Sequence, residues 1–359
     1  MSATWDKLVD ETWLAGAGEP VLDPAVPIVD PHHHLWAAPF PYEAPQLLAD
    51  MRGGHRVVGT VYAEAHRGYY ADGPDHLKAV GETAHMTAIA EAAQAADPGI
   101  RLCAGIVGAA DLTGEPVKVD EALEAHIAAG KGRFSGIRAN LFISFHSGTL
   151  AMEPLPGWDC VADQSRLLAG AGALAAKGLA MDTVCAHFQL QEVARLAERI
   201  PDLTLVLNHL SPIAQFDGGS LSQSDLMAQW RRGIAQIAAQ PNVHMKLGGC
   251  ANPMMAHSLP AFSSLRERDR PPSSEQLAAL YQPMVAFAID TLGPSRCMFE
   301  SNFPVDKWGT SYSVLWNAFK RLAAPYSAQE RDDLLMGTAV RAYRLKQLPL
   351  QAAASEIGE

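Results

Sequence analysis

The chain has 359 residues, 48% of them apolar and 19% charged, with 39 acidic against 28 basic side chains and a formal charge of −11. This is the composition of a globular protein with a sizeable buried core, which argues against disorder, and the acidic balance lacks the basic footprint of a nucleic-acid binder. The five cysteines, an odd number with no Cys-x-x-Cys pair, point to reduced thiols and a cytoplasmic protein; no signal-peptide pattern and no apolar run near 18 residues is present, so neither export nor a membrane span is expected.

In chain order, an N-terminal extension (1–25) is followed by short β-branched apolar runs that alternate with Ala/Leu-rich stretches of helical period. Strands are expected at 26–30, 56–63, 100–107, 133–139, 178–185, 203–208, 242–247 and 296–300. Helices are expected at 75–96, 118–129, 161–176, 189–199, 223–239, 274–291 and 327–344. Eight strands alternating with covering helices predict one α/β domain, a single (β/α)8 TIM barrel over roughly 26–345, with a frayed tail at 346–359. A doubly wound open sheet is the alternative, but no Gly-x-Gly-x-x-Gly turn follows the first strand. Extended loops at 141–160 and 249–273 follow the fourth and seventh strands and would rise from the C-terminal face, where barrel active sites sit.

The first strand ends in "VDPHHHLW". In extended chain, positions two apart share a face, so His32 and His34 project together while His33 points away, and two such imidazoles make half a metal site. Asp30 lies on the same alternating set and could orient a ring N–H. His187 follows the fifth strand and His209 the sixth, so all four histidines would converge on one barrel mouth.

With these four histidines and the eighth-strand segment "CMFESNFPVDK", the chain resembles the amidohydrolase superfamily, in particular its amidohydrolase-related branch of lactonases and decarboxylases. The resemblance implies that His32, His34 and His187 hold a divalent metal, zinc first, and that His209 polarises the substrate carbonyl or steadies the attacking water. The family's eighth-strand Asp falls at Asn302, which can offer an oxygen but cannot take up a proton. That departure leaves open a metal-independent variant and a base located elsewhere. Glu300, placed on the same face by the two-residue spacing, and Glu64 after the second strand are the candidates; Asp306 is a weaker one. Arg138 and Lys246, near the ends of the fourth and seventh strands, suit a carboxylate-bearing substrate, and Trp36, Arg67, Tyr69 and Tyr70 could line the pocket.

These residues lead to a hydrolase that opens a lactone or similar cyclic ester of a small carboxylated compound. A metal-dependent decarboxylase of an aromatic or muconate-type acid and a barrel that binds without catalysis are the alternatives. The expected partner is a small acidic molecule, not a nucleic acid or a membrane, and the sequence leaves room for a homo-oligomer.

Overall fold

The computed structural model describes residues 9–37, 41–146, 151–215, 221–252, 259–346 and 348–350. Ten strands occur among them: β1 (Pro27–His33), β2 (Arg56–Ala63), β3 (Arg101–Gly108), β4 (Phe134–Arg138), β5 (Ile143–His146), β6 (Ala151–Pro154), β7 (Ala180–Thr183), β8 (Thr204–Leu207), β9 (Val243–Leu247) and β10 (Cys297–Phe299). All except β5 and β6 form one eight-stranded parallel sheet in the order β1-β2-β3-β4-β7-β8-β9-β10. Helices fill the crossovers, as a parallel sheet requires, and the sheet curls into the expected (β/α)8 barrel.

The barrel closes where β1 meets the chain just after β10. The amide of Asn302 donates to His32 O at 2.9 Å and that of His34 to Phe303 O at 2.8 Å. Asp30, fully buried in β1, fastens this seam, accepting from Ser301 Oγ (2.6 Å), Ser301 N (3.0 Å) and Tyr312 Oη (3.0 Å). Burial raises its carboxyl to about 6. Asp30→Ala leaves these buried donors without an acceptor, each costing about 1–3 kcal/mol. Thermal denaturation is expected to show one of the larger single-residue losses in the chain, about 3 kcal/mol.

The barrel floor is apolar. Val29, Val61, Ala104, Val107, Ala180, Val206 and Met298 pack with Ala339, Ala342, Tyr343 and Leu345 from the C-terminal segment. That segment was expected as one helix over 327–344. It is helical from Ala328 to Ala342, with a π-turn at Asp333–Gly337 between Ala328–Asp332 and Thr338–Ala342 that shifts the register ahead of Tyr343.

Other departures are local. The helix expected from 75 starts at Val80 after a 3-10 turn, Asp75–Leu77, and the one expected from 161 starts at Ser165 after a 3-10 segment, Trp158–Asp163. Two further helices, Ala44–Met51 and Tyr312–Ala323, follow β1 and β10. The loop after β4 carries the antiparallel hairpin β5–β6, with 147–150 outside the described residues; the loop after β9 holds short helical turns at Pro260–Ser263 and Leu265–Glu267, with 253–258 outside them. Most of the tail, 347 and 351–359, also lies outside. Among the described residues no helix is long and apolar enough to cross a membrane.

Candidate active site

Four histidines stand at the C-terminal ends of β1, β7 and β8, each nearly or fully buried: His32 at 0%, His34 at 5%, His187 at 3% and His209 at 2% exposure. His32 and His34 bring their Nε2 atoms to 3.2 Å of each other. His34 Nδ1 lies 2.9 Å from the carbonyl of Ala63, which can only accept, so Nδ1 carries the hydrogen and Nε2 of the neutral ring is a bare lone pair. Burial, reinforced by Lys246 for His32 and by Arg138 for His34, holds both rings well below the ordinary imidazole range. Both are therefore neutral, the form that ligates metals.

The backbone at His209, Leu210 and Ser211 is left-handed, with φ of 61°, 57° and 56°. Such a run costs roughly 1–2 kcal/mol per residue. It is held by hydrogen bonds that place the imidazole: His209 N donates to Glu300 Oε1 at 2.9 Å and Leu210 N to Lys246 O at 3.0 Å. His209 Nδ1 lies 2.8 Å from the same carboxylate oxygen and donates to it. Gly248 and Gly249 close β9 beside this pair. A side-chain carbon at Gly249 would run into the His209 ring, and one at Gly248 into Glu300, so both positions need glycine for space.

Glu300 is fully buried just past β10, with its other oxygen, Oε2, 3.0 Å from His32 Nδ1. Yet Oε2 accepts no hydrogen bond. His32, His209 and Glu300 form the one cluster of metal-ligand atoms within 4.8 Å of one another among the described residues. Both carboxylate oxygens face imidazole Nδ1 atoms, so Glu300 is better read as the anchor shared by two rings than as a donor to an ion. The donor set that fits a cation is the His32–His34 pair. Two Nε2 atoms 3.2 Å apart have the spacing of neighbouring imidazoles around one ion at about 2.0–2.1 Å.

His187 was expected as the third ligand. It begins the 3-10 turn His187–Gln189, its Nε2 lies 3.2 Å from Gln229 Oε1, and its buried Nδ1 has no partner. Among the described residues it does not join His32 and His34 in a cluster of ligand spacing. Asn302 was expected on the face of Glu300, but β10 has ended and Asn302 has φ 53°, which breaks the two-residue alternation. Its Nδ2 donates to Asp306 Oδ1 at 3.0 Å. Asp306, also bonded by Ala251 N and Asn252 Nδ2, is buried, and burial raises it to about 7. Asp30 bonds Ser301 and Tyr312 and no imidazole.

Of the expected substrate contacts, Arg138 and Glu64 pair with each other, Nε to Oε1 at 3.0 Å, with Glu64 Oε2 buried, without a hydrogen-bond partner and 3.8 Å from His66 Nε2. Only 12% of the Arg138 side chain is exposed, and its bond through Nε leaves the two terminal nitrogens uncommitted among the described residues. Trp36 stacks on His34 with ring centres 5.7 Å apart and planes 11° from parallel. Arg67 donates to Glu43 at 2.6 Å, and Tyr70 is about half exposed. Lys246 is fully buried, donating to Asp182 Oδ2 at 2.7 Å and to His32 Nδ1 at 3.1 Å, so it lies under the histidines and not where a substrate would meet it.

The amidohydrolase family model matches residues 29–345, and the chain belongs to that family of hydrolytic, generally divalent-metal-dependent barrels. An uncharacterized protein of Sinorhizobium fredii, y4mH, is 29% identical over 342 residues, covering 89% of this chain and 99% of its own length. An L-fucono-1,5-lactonase of Burkholderia multivorans is 30% identical over 188 residues, 52% of this chain and 58% of the lactonase. Among solved structures, an amidohydrolase from Burkholderia multivorans with bound zinc superposes with a TM-score of 0.63 at 23% identity, covering 89% of this chain and 99% of that one, a likeness of fold.

Proposed function

We propose that this protein hydrolyses a lactone or similar cyclic ester of a small carboxylated compound. The observation that carries the reading is His209, fixed through both its backbone N–H and Nδ1 on buried Glu300, which leaves Nε2 as the ring nitrogen not bound to that carboxylate. An imidazole backed by a carboxylate is the arrangement of a general base.

Nε2 of His209 takes a proton from a water as the water oxygen bonds to the lactone carbonyl carbon. The ring C–O bond then breaks, and the same proton passes to the departing alkoxide, giving a hydroxy acid. Arg138, stiffened by its bond to Glu64, offers its terminal nitrogens as a fork to the substrate's carboxylate, and Trp36 supplies a flat apolar wall beside His34. His32 and His34 would hold a divalent ion, zinc being favoured by its imidazole donors and by the zinc-bound fold relative. When bound, such an ion polarises the ester carbonyl and makes water more acidic. Asn302 and His187 have no step in this scheme.

The lactonase relative supports this reading over decarboxylation. So does the site, since both Glu300 oxygens face imidazoles, which suits an anchor for His209 more than a proton donor to a departing carbon. The free cysteines suit a reducing compartment such as the cytoplasm. The test is a panel of sugar and pyrone lactones alongside hydroxybenzoates. Proton release from carboxylated lactones is expected; carbon dioxide from the aromatic acids would replace the reading, and silence across the panel would favour a barrel that only binds.

A further inference from the structure

One hydrogen on His32 has three claimants. Nδ1 lies 3.1 Å from the Lys246 ammonium, which can only donate, and 3.0 Å from Glu300 Oε2, which as a carboxylate oxygen can only accept. Nε2 lies 3.2 Å from the bare lone pair of His34 Nε2. A neutral imidazole has a single N–H. With it on Nε2, His32 donates to His34 and accepts from Lys246, and no His32 hydrogen is available to Glu300 Oε2. With it on Nδ1, Oε2 at 3.0 Å is the acceptor within reach, and two lone pairs then face each other at 3.2 Å, an arrangement that a shared cation would satisfy.

Lys246 is built into its place from below. Its Nζ donates to Asp182 Oδ2 at 2.7 Å, and Asp182 accepts from Tyr343 Oη through both oxygens, at 2.9 and 2.8 Å. The ammonium sits 5.2 Å from the centre of the Tyr343 ring. Tyr343 arrives from the C-terminal segment that plugs the barrel floor.

We infer that Lys246, seated by Asp182 and Tyr343, competes with a divalent cation for His32. It stabilises the tautomer that joins His32 to His34 and closes the site. A cation enters by moving that hydrogen to the Glu300 side, with no change in the charge of the ring. The inference rests on reading the His32–His34 pair as the metal position, and it makes affinity a balance between Lys246 and Glu300.

Two variants move the balance in opposite directions. Asp182→Asn with Lys246→Met removes both partners of the buried ion pair, so neither charge is left uncompensated, and it frees Nδ1 to serve Glu300. Glu300→Gln keeps an acceptor for His209 but puts an amide N–H where Oε2 faced His32, which demands a lone pair on Nδ1. Zinc affinity, measured against a chromophoric chelator, is expected to rise about tenfold or more in the double variant and to fall by about 10- to 100-fold in Glu300→Gln, the range of second-sphere changes. Nitrogen-15 spectra of the wild-type histidines, which need no variant to fold, should show His32 protonated on Nε2 without zinc and on Nδ1 with it. Equal affinity in all three proteins, a tighter Glu300→Gln, or the reverse tautomers would overturn the inference. Zinc binding to the double variant alone would support it. Lactone turnover is measured separately: its absence with the affinity order intact removes the proposed reaction and leaves the competition standing.

Discussion

Replacing His209 by Asn is expected to lower kcat for a carboxylated lactone by about 10²- to 10⁴-fold, the contribution of a positioned general base, while KM changes far less. Asn keeps an N–H for Glu300 Oε1, so the buried carboxylate retains a donor and the left-handed run at 209–211 retains a residue type that tolerates it. It cannot accept a proton. Steady-state kinetics together with a melting curve check the claim, since a folded variant losing less than about tenfold in kcat would be too active for one lacking its base. The next candidate would then be Glu64, whose Oε2 is buried without a hydrogen-bond partner.

The parts of this site that were legible in the sequence share a local signature. His32 and His34 stand two apart on one strand end, and His187 and His209 each follow an apolar strand, so alternation and the barrel's polarity place them without knowledge of distant contacts. The same rule misplaced Asn302, because it holds only while the chain stays extended, and the positive φ at Asn302 turns its amide to Asp306. Lys246 was read as a rim cation from its position near a strand end. Its side chain follows Asp182 inward, and the clue was present: single opposite charges inside the apolar strands "LAMDTV" and "VHMKL" have no cheap place except on each other. Tyr343 had no local signal, because its role depends on a π-turn and a floor plug that bring it to a strand far earlier in the chain. The Gly248–Gly249 pair was readable as a loop but not as clearance for His209 and Glu300, which only the packed structure reveals.

Arg138→Lys separates recognition of the substrate from chemistry. Arg138 spends Nε on Glu64 and keeps its terminal nitrogens, a planar fork, for a carboxylate. Lysine can preserve the ion pair with Glu64, so the buried acid is not stranded, but it is a single point charge and cannot hold Glu64 and a substrate carboxylate in the same geometry. Hydrogen bonds to a charged group contribute about 1.5–3 kcal/mol, which corresponds to a roughly 10- to 150-fold rise in KM for a carboxylated lactone. A neutral lactone of similar size never used the fork, so its KM should be unchanged in the variant and already high in the wild type. If the two substrates respond alike, the arginine acts on the pocket's shape or on His34, which lies close enough to feel its charge, and the substrate's acidic group must be bound elsewhere on the rim. If only the carboxylated one responds, and in KM with kcat retained, the fork is a binding device independent of the His209–Glu300 base.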